Sequence, residues 1–428
     1  MELREYKLGE LLDVTRGASL SGEYYAKEGE RIRLTLGHFD YVNGGFKENT
    51  SKENLYFIGD VKDEFILNEG DIITPLTEQT KGLIGSTAII PESGKYIQSQ
   101  DIGLVKCNED LLYPGFCYYL LPTQLVKNQL SAGAQQTSIR HTSPDKIKDC
   151  KVFIPSLPEQ KQIANLLSSI DKKINVNREI NQNLEALAKQ LYDYWFVQFD
   201  FPNEEGWPYK SSGGTMVWND ALKRNIPEGW KVCSLAELGN FKNGINYSKD
   251  EIGDWIYKIV NVRNISSSSI FIDNSNLDEL TLKRSNGDNY LVRESDILIA
   301  RSGSPGATRL IRDIEDNIIY CGFIICYTLN DLDDKLILFY SIKQLEGVTK
   351  AQSNGSILSN ISQEVLKQLL VSMPPTEIKQ RFNENINTIF AAIQNSLREI
   401  EDLIKQRDKL LPLMMNGQVS LNSDLSLD

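Results

Sequence analysis

The chain has 428 residues, a formal net charge of −12 and 41% hydrophobic residues. This length predicts two or three domains, and the apolar content suffices for buried cores. No apolar run reaches the roughly 20 residues of a membrane-spanning helix, and the N-terminus lacks the apolar core of a signal peptide, so we expect a soluble, cytoplasmic protein without membrane contact. The acidic balance argues against a protein that holds nucleic acid alone, because such proteins are usually basic.

Short segments of the first half recur in the same order in the second half. Leu8–Gly17 (LGELLDVTRG) returns as Leu235–Gly244 (LAELGNFKNG), with leucine, glutamate, leucine and glycine at matching places. The other pairs are Gly70–Ile73 with Ser295–Leu298, Ser138–Ile139 with Ser356–Ile357, and Pro158–Gln162 with Thr376–Gln380. The repeated unit is too long for a solenoid and reads as a domain plus a helix. Two such units suggest a target with two parts.

Each half begins with a globular segment of mixed α and β character. Short apolar runs such as Asp101–Val105 and Ile318–Tyr327 are interrupted by Gly, Pro and Asn turn signals. The predicted boundaries are 1–157 for the first globular domain, 158–200 for a helical spacer, 201–226 for a Gly/Ser/Pro-rich linker, 227–375 for the second globular domain, 376–416 for a second helical spacer and 417–428 for a tail.

The first spacer is predicted to be one helix of about 60 Å, since an α-helix rises 1.5 Å per residue. Ser156 and Glu159 form a capping-box pattern at its start. One seam position recurs every seven residues at Ile163, Ile170, Asn177, Leu184 and Leu191. The other seam position is predicted at Leu166, Ile180, Leu187 and Tyr194, with Lys173 as an exception. Asn177 is the type of polar residue that sets the register of a coiled coil.

The second spacer follows Pro374-Pro375 and is predicted to run to about Met415. Its seam positions are Ile386, Ile393 and Ile400, with Phe382, Ile389, Leu403 and Leu410 alternating. Two long heptad helices in one chain most simply pack on each other. The alternative is that each helix packs on its own globular half.

Sequence motifs of catalysis are missing. The chain has no phosphate-binding loop and no methyltransferase motif, and with two histidines it offers neither a catalytic triad nor a His-based metal site. Glu159 and Glu377 match the E-x-K part of a nuclease signature, but each lies in the first turn of a helix, where capping explains a glutamate. These residues argue against catalysis by this chain, and a self-contained nuclease that uses Glu159 is left as an alternative.

Two polar loops in each half carry the donors and acceptors that read bases. In the first half they are Thr77–Gly82 and Ser131–His141, and in the second Arg301–Gly306 and Lys350–Ser356. The stretch 281–312 carries six basic and three acidic residues, and 127–151 carries five and two. The candidate DNA-contacting residues are Thr80, Lys81, Gln135, Gln136, Thr137, Ser138, Arg140, Arg301, Ser302, Ser304, Gln352, Ser353, Asn354 and Ser356.

An aromatic run, Tyr192–Phe201, ends the first helical spacer. Two interpretations remain open for Tyr194, Trp195 and Phe196. They form either a hydrophobic plug that closes the coiled coil or a docking surface for a partner protein, since interface anchors are rich in exposed aromatics.

The chain resembles the specificity subunit of Type I restriction-modification systems. The resemblance rests on the order of globular and helical segments, on Leu157–Gln162 (LPEQKQ) and Trp195–Asp200 (WFVQFD) at the ends of the first spacer, and on Tyr209–Gly214 (YKSSGG) and Ile226–Trp230 (IPEGW) before the second globular domain. The second spacer departs from the pattern, because Pro374–Gln380 replaces the usual Leu-Pro-x-x-Glu-Gln form.

The resemblance implies an α+β fold with an internal pseudo-two-fold repeat, in which two α/β target recognition domains are joined by helices paired as an antiparallel coiled coil. Each domain would read half of a bipartite site in double-stranded DNA, and the helices would set the spacing. Methyltransferase subunits would dock on the helices, restriction subunits would join through them, and S-adenosylmethionine, ATP and Mg²⁺ would belong to these partners. The subunit itself would be non-catalytic. An alternative is an interaction scaffold that binds methyltransferase subunits without reading DNA.

Overall fold

The computed structural model describes residues 2–41, 44–50, 52–78, 82–132, 140–247, 253–346 and 360–419. The chain divides into two compact units, Met1–Val176 with Ile400–Asp428, and Asn177–Glu399. Each unit therefore contains one globular half and parts of both long helices. The division runs across the helices, so a helix end and a globular half belong to one folded body.

The first unit is built around a four-stranded antiparallel sheet with a second, smaller sheet beside it. The first sheet has the order Leu12–Arg16, Ile102–Cys107, Ile72–Pro75, Ala88–Ile89, and the second has the order Tyr25–Ala26, Tyr56–Phe57, Ile32–Arg33, Tyr96–Ile97. Two further strand pairs join Arg4–Lys7 to Lys151–Ile154 and Thr77–Glu78 to Arg140–His141. The short helices are Leu8–Leu11, Pro114–Leu120, Gln124–Ala132 and Pro144–Lys148, with 3₁₀ turns at Gly22–Tyr24, Leu36–His38 and Asp63–Phe65.

The second unit repeats this plan with longer strands. Its five-stranded sheet has the order Gly239–Asn243, Ile324–Leu329, Asp296–Ala300, Thr308–Ile311, Phe271–Ile272, and its three-stranded sheet has the order Asp278–Leu282, Trp255–Val260, Ile318–Tyr320. Two strand pairs join Lys231–Ser234 to Leu370–Met373 and Met216–Asn219 to Arg224–Pro227. The helices are Leu235–Leu238, Val262–Ser267, Arg284–Gly287, Lys335–Lys343 and Gln363–Lys367, with 3₁₀ turns at Asn274–Asn276, Asp288–Tyr290 and Leu332–Asp334.

The register of the strands confirms the internal repeat. In each half the first strand pairs antiparallel with the last strand before the long helix, with Arg4 opposite Ile154 and Lys231 opposite Met373. A four-residue helix then leads into an edge strand of the main sheet in both halves. Every residue of the central strand Asp296–Ala300 is buried, which is why this strand is nearly continuous in apolar residues.

Both long helices form close to their predicted bounds. The first long helix spans Leu157–Tyr192 and continues as a π-helical turn over Asp193–Val197. The Ser156 backbone N–H and hydroxyl donate to the Glu159 carboxylate at 3.1 and 2.8 Å, so Glu159 caps the helix as predicted. The second long helix spans Thr376–Met415 and contains Pro412 in its last turn.

The seam of the first long helix was predicted correctly at one position and wrongly at the other. The first position is buried at Ile163, Ile170 and Asn177. The second lies one residue later than predicted, at Leu167, Ile174, Asn181, Ala188 and Trp195, all of which are buried. Of the residues predicted there, Leu166 is half-buried against the core, whereas Ile180, Leu187 and Tyr194 are exposed. The buried residues are therefore spaced four and then three residues apart, rather than three and then four as predicted. The seam contains Asn177 and Asn181 rather than Asn177 alone.

Core contacts show that the two long helices run antiparallel. In the first unit, the start of the first long helix (Ile163, Leu167) shares a core with the end of the second (Met414). In the second unit, the end of the first long helix shares a core with the start of the second, and the rings of Trp195 and Phe382 lie 5.6 Å apart. In both units, the start of one long helix packs with the end of the other. The same cores include residues of the globular halves, so both predicted modes of packing occur together.

Polar contacts join the helices within each unit. In the first unit, Arg407 of the second long helix lies 3.0 Å from the Asp171 carboxylate, which also accepts a hydrogen bond from the Tyr119 hydroxyl at 2.5 Å. In the second unit, the Asn177 side-chain amide donates to the Glu399 carboxylate at 3.0 Å. These pairs orient one helix against the other, as a polar seam residue does in a coiled coil.

The six cysteines are free thiols, as predicted. Within the described part of the chain, no helix is long and apolar enough to cross a membrane.

Asn181 supplies a stability prediction. Its side chain is buried in the seam, and neither its amide nitrogen nor its oxygen finds a hydrogen-bond partner among the described residues. Because an unsatisfied buried amide costs about 1–3 kcal/mol, Asn181→Leu is expected to raise the free energy of unfolding by that amount in denaturant titrations. Asn177→Leu is the matched control. Its free energy of unfolding should rise less, because the substitution also removes the hydrogen bond to Glu399. A lower stability of Asn181→Leu would contradict this account.

Candidate nucleic-acid interface

The first half holds its two predicted loops side by side. Strand Thr77–Glu78, which leads into the first loop, pairs with Arg140–His141, which leaves the second. The buried Glu78 carboxylate accepts hydrogen bonds from the backbone N–H groups of Gly82, Leu83 and Ile84 at 2.9–3.1 Å. Residues 79–81 therefore connect two anchored points. Helix Gln124–Ala132, which precedes the second loop, lies against Gly85 through Leu130.

The second half forms its first predicted loop as a hairpin turn. The Gly306 N–H donates to the Ala300 carbonyl at 2.9 Å, and the Ala300 N–H donates to the Ala307 carbonyl at 2.8 Å. Gly303 and Gly306 have φ angles of +75° and +83°, a backbone region that glycine adopts without strain. The loop is tied to the neighbouring helix Val262–Ser267 by a hydrogen bond of 2.9 Å between the Ser304 and Ser266 hydroxyls.

Both flanks of the second predicted loop also lie at this hairpin. A side chain at Gly306 would come within 3.2 Å of Ile361 and 3.4 Å of Leu345, which stand on either side of residues 347–359. The Ile361 N–H donates to the Arg301 carbonyl at 2.9 Å. The structure therefore brings together, within each half, the anchors of the two loops that sequence predicted separately.

Backbone hydrogen bonds identify matching positions in the two halves. The Arg301 N–H donates to the Phe323 carbonyl, and the Arg301 carbonyl accepts from the Ile361 N–H. In the same way, the Leu76 N–H donates to the Asp101 carbonyl, and the Leu76 carbonyl accepts from the Thr142 N–H. All of these distances are 2.8–2.9 Å. Arg301 thus occupies the place of Leu76. We call this set of backbone hydrogen bonds the loop frame. It is the same in both halves, whereas the side chains at the matching positions differ.

The structure describes only some of the candidate residues. Arg301, Ser302 and Ser304 are half-buried on the hairpin turn. The backbone of Arg140 lies in the strand opposite Glu78. Ten candidates lie outside the described residues: Thr80, Lys81, Gln135, Gln136, Thr137, Ser138, Gln352, Ser353, Asn354 and Ser356.

Some basic side chains of the stretch 281–312 are paired with carboxylates in the core, and others are not. Arg309 is buried and lies 2.5 Å from the Glu346 carboxylate, so it belongs to the core. Lys343, which lies outside this stretch, is 3.3 Å from the same carboxylate, and burial lowers the pKa of its ammonium group to about 8. Arg301 forms no salt bridge with any described carboxylate, although it interacts electrostatically with the exposed carboxylate of Glu364. It is therefore the cation on this loop that is available to a ligand.

Sequence reasoning missed Phe323. Its side chain is 62% exposed on a turn closed by the bond from the Ile324 N–H to the Cys321 carbonyl, directly beside Arg301. The matching residue of the first half is Asp101. The signal in the sequence is an aromatic residue directly after Gly322, between two apolar runs.

The aromatic run at the end of the first long helix lies mostly in the core. Trp195 and Phe196 are buried, and the Phe196 ring packs edge-on against Phe382 at 4.6 Å. Both fit inside because the π-helical turn widens the backbone at this point. Tyr194 is 37% exposed. Burial favours the plug interpretation for Trp195 and Phe196, and partner docking stays a prediction for Tyr194.

Among the described residues, no group of three His, Cys, Asp or Glu side chains is placed to hold a metal ion. The Glu159 carboxylate is occupied by the helix cap.

Comparison with known proteins identifies a family. The model of the Type I restriction modification DNA specificity domain matches the chain twice, over residues 2–186 and 227–406. These two matches coincide with the two halves of the repeat and cover most of the sequence.

Named relatives agree with this match. The Type I restriction enzyme MjaIX specificity subunit of Methanocaldococcus jannaschii is 26% identical over 71% of this chain and 68% of its own length. The HindI specificity subunit of Haemophilus influenzae is 22% identical over 89% of this chain and 99% of its own.

One solved structure shares the fold. The crystal structure of a Type I restriction-modification S subunit from M. genitalium superposes with a TM-score of 0.53 at 16% identity, covering 97% of this chain and 96% of that one. With the family model matched in both halves, this chain belongs to the Type I restriction-modification DNA specificity family.

Proposed function

We propose that this protein is the sequence-specific DNA-binding subunit of a Type I restriction-modification complex, and that each half reads one part of a bipartite site. The observation that carries this proposal is the shared loop frame. Each half anchors two polar loops at one place with the same backbone hydrogen bonds, yet presents different side chains there. Identical frames with different side chains suit the reading of two different half-sites, because base recognition depends on the donors and acceptors presented.

The long helices would set the distance between the half-sites. Each is about 40 residues long, which corresponds to about 60 Å. Their ends are held in the cores of the units, so a change in helix length is transmitted to the bound spacing. The protein itself would make no covalent change in DNA.

Methyltransferase subunits would dock on the first long helix. In the second unit, Ile180, Leu187 and Tyr194 form an exposed apolar stripe that repeats every seven residues. These residues do not belong to the seam, and an exposed apolar stripe on a helix is typical of a protein interface. Restriction subunits would join through the methyltransferase, and S-adenosylmethionine, ATP and Mg²⁺ would bind to these partners.

A scaffold that binds methyltransferase without reading DNA remains the second candidate, and the acidic charge of the chain favours it. Against it stands the guanidinium of Arg301, which lies on the hairpin turn and forms no salt bridge with a described carboxylate.

Methylated-base sequencing tests the reading of DNA. Coexpression with the methyltransferase subunits is expected to produce one bipartite motif. Arg301→Ala should relax the base specificity of one half-site only, because an arginine that contacts a base contributes about 1–3 kcal/mol of discrimination against the wrong base. The control is Arg293→Ala, an exposed arginine before the other end of strand Asp296–Ala300. Methylation without any sequence motif, or a motif unchanged in Arg301→Ala, would overturn the proposal.

Helix length tests the spacing. Seven residues inserted in both helices, after Val176 and after Glu399, lengthen each by about 10.5 Å and preserve the heptad seam. The methylated motif should then gain about three base pairs in its spacer, at about 3.4 Å per base pair. A three-residue insertion in both helices is the control, since it breaks the seam and should abolish methylation. An unchanged spacer after the seven-residue insertion would contradict the proposed role.

Copurification tests the docking stripe. Leu187→Glu places a charge in the exposed stripe without touching the seam, and it is expected to lower methyltransferase binding at least tenfold in a titration. Ile256→Glu, at another exposed apolar residue of the second unit, is the matched control and should bind normally. Equal affinity of both variants would exclude this stripe as the docking surface.

A further inference from the structure

Arg33 is a buried arginine whose charge is not explained by the fold. It lies in strand Ile32–Arg33 of the first unit and is 8% exposed. The centre of its guanidinium stacks 3.7 Å above the Tyr25 ring, and Nη2 donates to the Asn54 carbonyl at 3.1 Å. Nε is buried and has no hydrogen-bond partner among the described residues.

Within the described part of the chain, no carboxylate forms a salt bridge with Arg33. The residues of the first half that follow Met1 and lie outside the description, at 42–43, 51, 79–81 and 133–139, include no aspartate or glutamate. Buried charges are costly unless they are paired. An arginine kept in this state therefore indicates a partner from outside the first half.

The second half shows that the fold does not require an arginine at this place. Arg33 stands opposite Ile97 in a parallel ladder, and Ile259 stands opposite Ile319 in the matching ladder. Two residues later, both halves begin a helical turn with the same type of cap, in which the Thr35 N–H donates to His38 and the Asn261 N–H donates to Asn264. Ile259 is 1% exposed, so an apolar core residue fills the position in the second copy.

A cavity of about 380 Å³ opens beside Arg33 in the first unit. Tyr41 and Lys52 line it and are exposed, so the cavity reaches the surface. Asp101 and Leu83 also line it. These two residues belong to the frame of the candidate nucleic-acid interface, because Asp101 accepts a hydrogen bond from Leu76 and Leu83 donates to the Glu78 carboxylate.

We propose that this Arg33 cavity binds a phosphate group, and that in the DNA complex the group is a phosphodiester of the backbone. This assignment rests on the proposed DNA-binding function. A guanidinium offers a planar set of donors that matches phosphate oxygens, and Lys52 adds a second positive charge. Asp101, an acidic residue that also lines the cavity, disfavours a dianion, so a phosphodiester with one negative charge fits better than free phosphate.

The variant Arg33→Ile copies the residue of the second half and is expected to fold. It removes a buried unpaired charge, so its melting temperature should equal or exceed that of the wild type. A purely structural arginine would behave in the opposite way, because its removal would lower the melting temperature. Arg33→Lys keeps the charge but loses the planar donors, and Lys7→Gln, at an exposed lysine of the first strand, is the control.

DNA affinity is measured on the full chain, with its methyltransferase subunits, against a duplex that carries the methylated motif. Loss of one phosphate contact lowers the slope of log K against log salt by about 0.9. Both proteins should lose DNA affinity when the salt concentration rises from 50 to 200 mM. The fold-loss of Arg33→Ile should be about three to four times smaller than the fold-loss of the wild type. The weakening should be equal for specific and non-specific duplexes, since a phosphate contact carries no sequence information.

Inorganic phosphate separates the two sources of the ligand. If phosphate raises the melting temperature of the wild type but not of Arg33→Ile, while the salt slopes for DNA are equal, the cavity binds free phosphate and the DNA assignment is overturned. If Arg33→Ile changes neither the salt slope nor the response to phosphate, the whole proposal is overturned. A wild-type complex that binds no DNA refutes the proposed function, and the phosphate arm still tests the cavity by itself.

Discussion

The structure depends on one constraint, which is that each globular half completes its core with the start of one long helix and the end of the other. Ile163 and Met414 share the core of the first unit although they lie far apart in the sequence, and Trp195 and Phe382 pack together in the second. Neither half can bury its apolar surface with its own residues alone. The antiparallel pairing follows from this, because a start is always matched with an end.

This arrangement separates the frame from the side chains that it presents. The backbone hydrogen bonds around Leu76 and Arg301 are the same, as are the ladders around Arg33 and Ile259. Duplication therefore preserved the bonds that buried backbone groups must satisfy. The side chains on that frame were free to differ, and the differences place one cation on a loop in the second half and another beside a cavity in the first.

Local patterns predicted the helices well and their buried faces less well. The ends of both long helices, the Glu159 cap and the seam of the second helix at Ile386 and Ile393 follow from signals within a few residues. In the first helix, the apolar residues Ile180 and Leu187 resembled a seam but are exposed. An apolar stripe for a partner subunit and one for the core have the same period, so periodicity alone does not distinguish them. The exception at Lys173 was the one local sign of the error.

The sequence by itself determined the duplication, the order of globular and helical segments, the family and the positions of the loops, because each is encoded in residues close together in the chain. Only the tertiary structure decided which helix face is buried, that Trp195 and Phe196 are core residues, and that Arg33 lies unpaired beside a cavity. These properties depend on contacts between residues far apart in the chain. Burial, unlike helix formation, is a property of the neighbours that folding brings together.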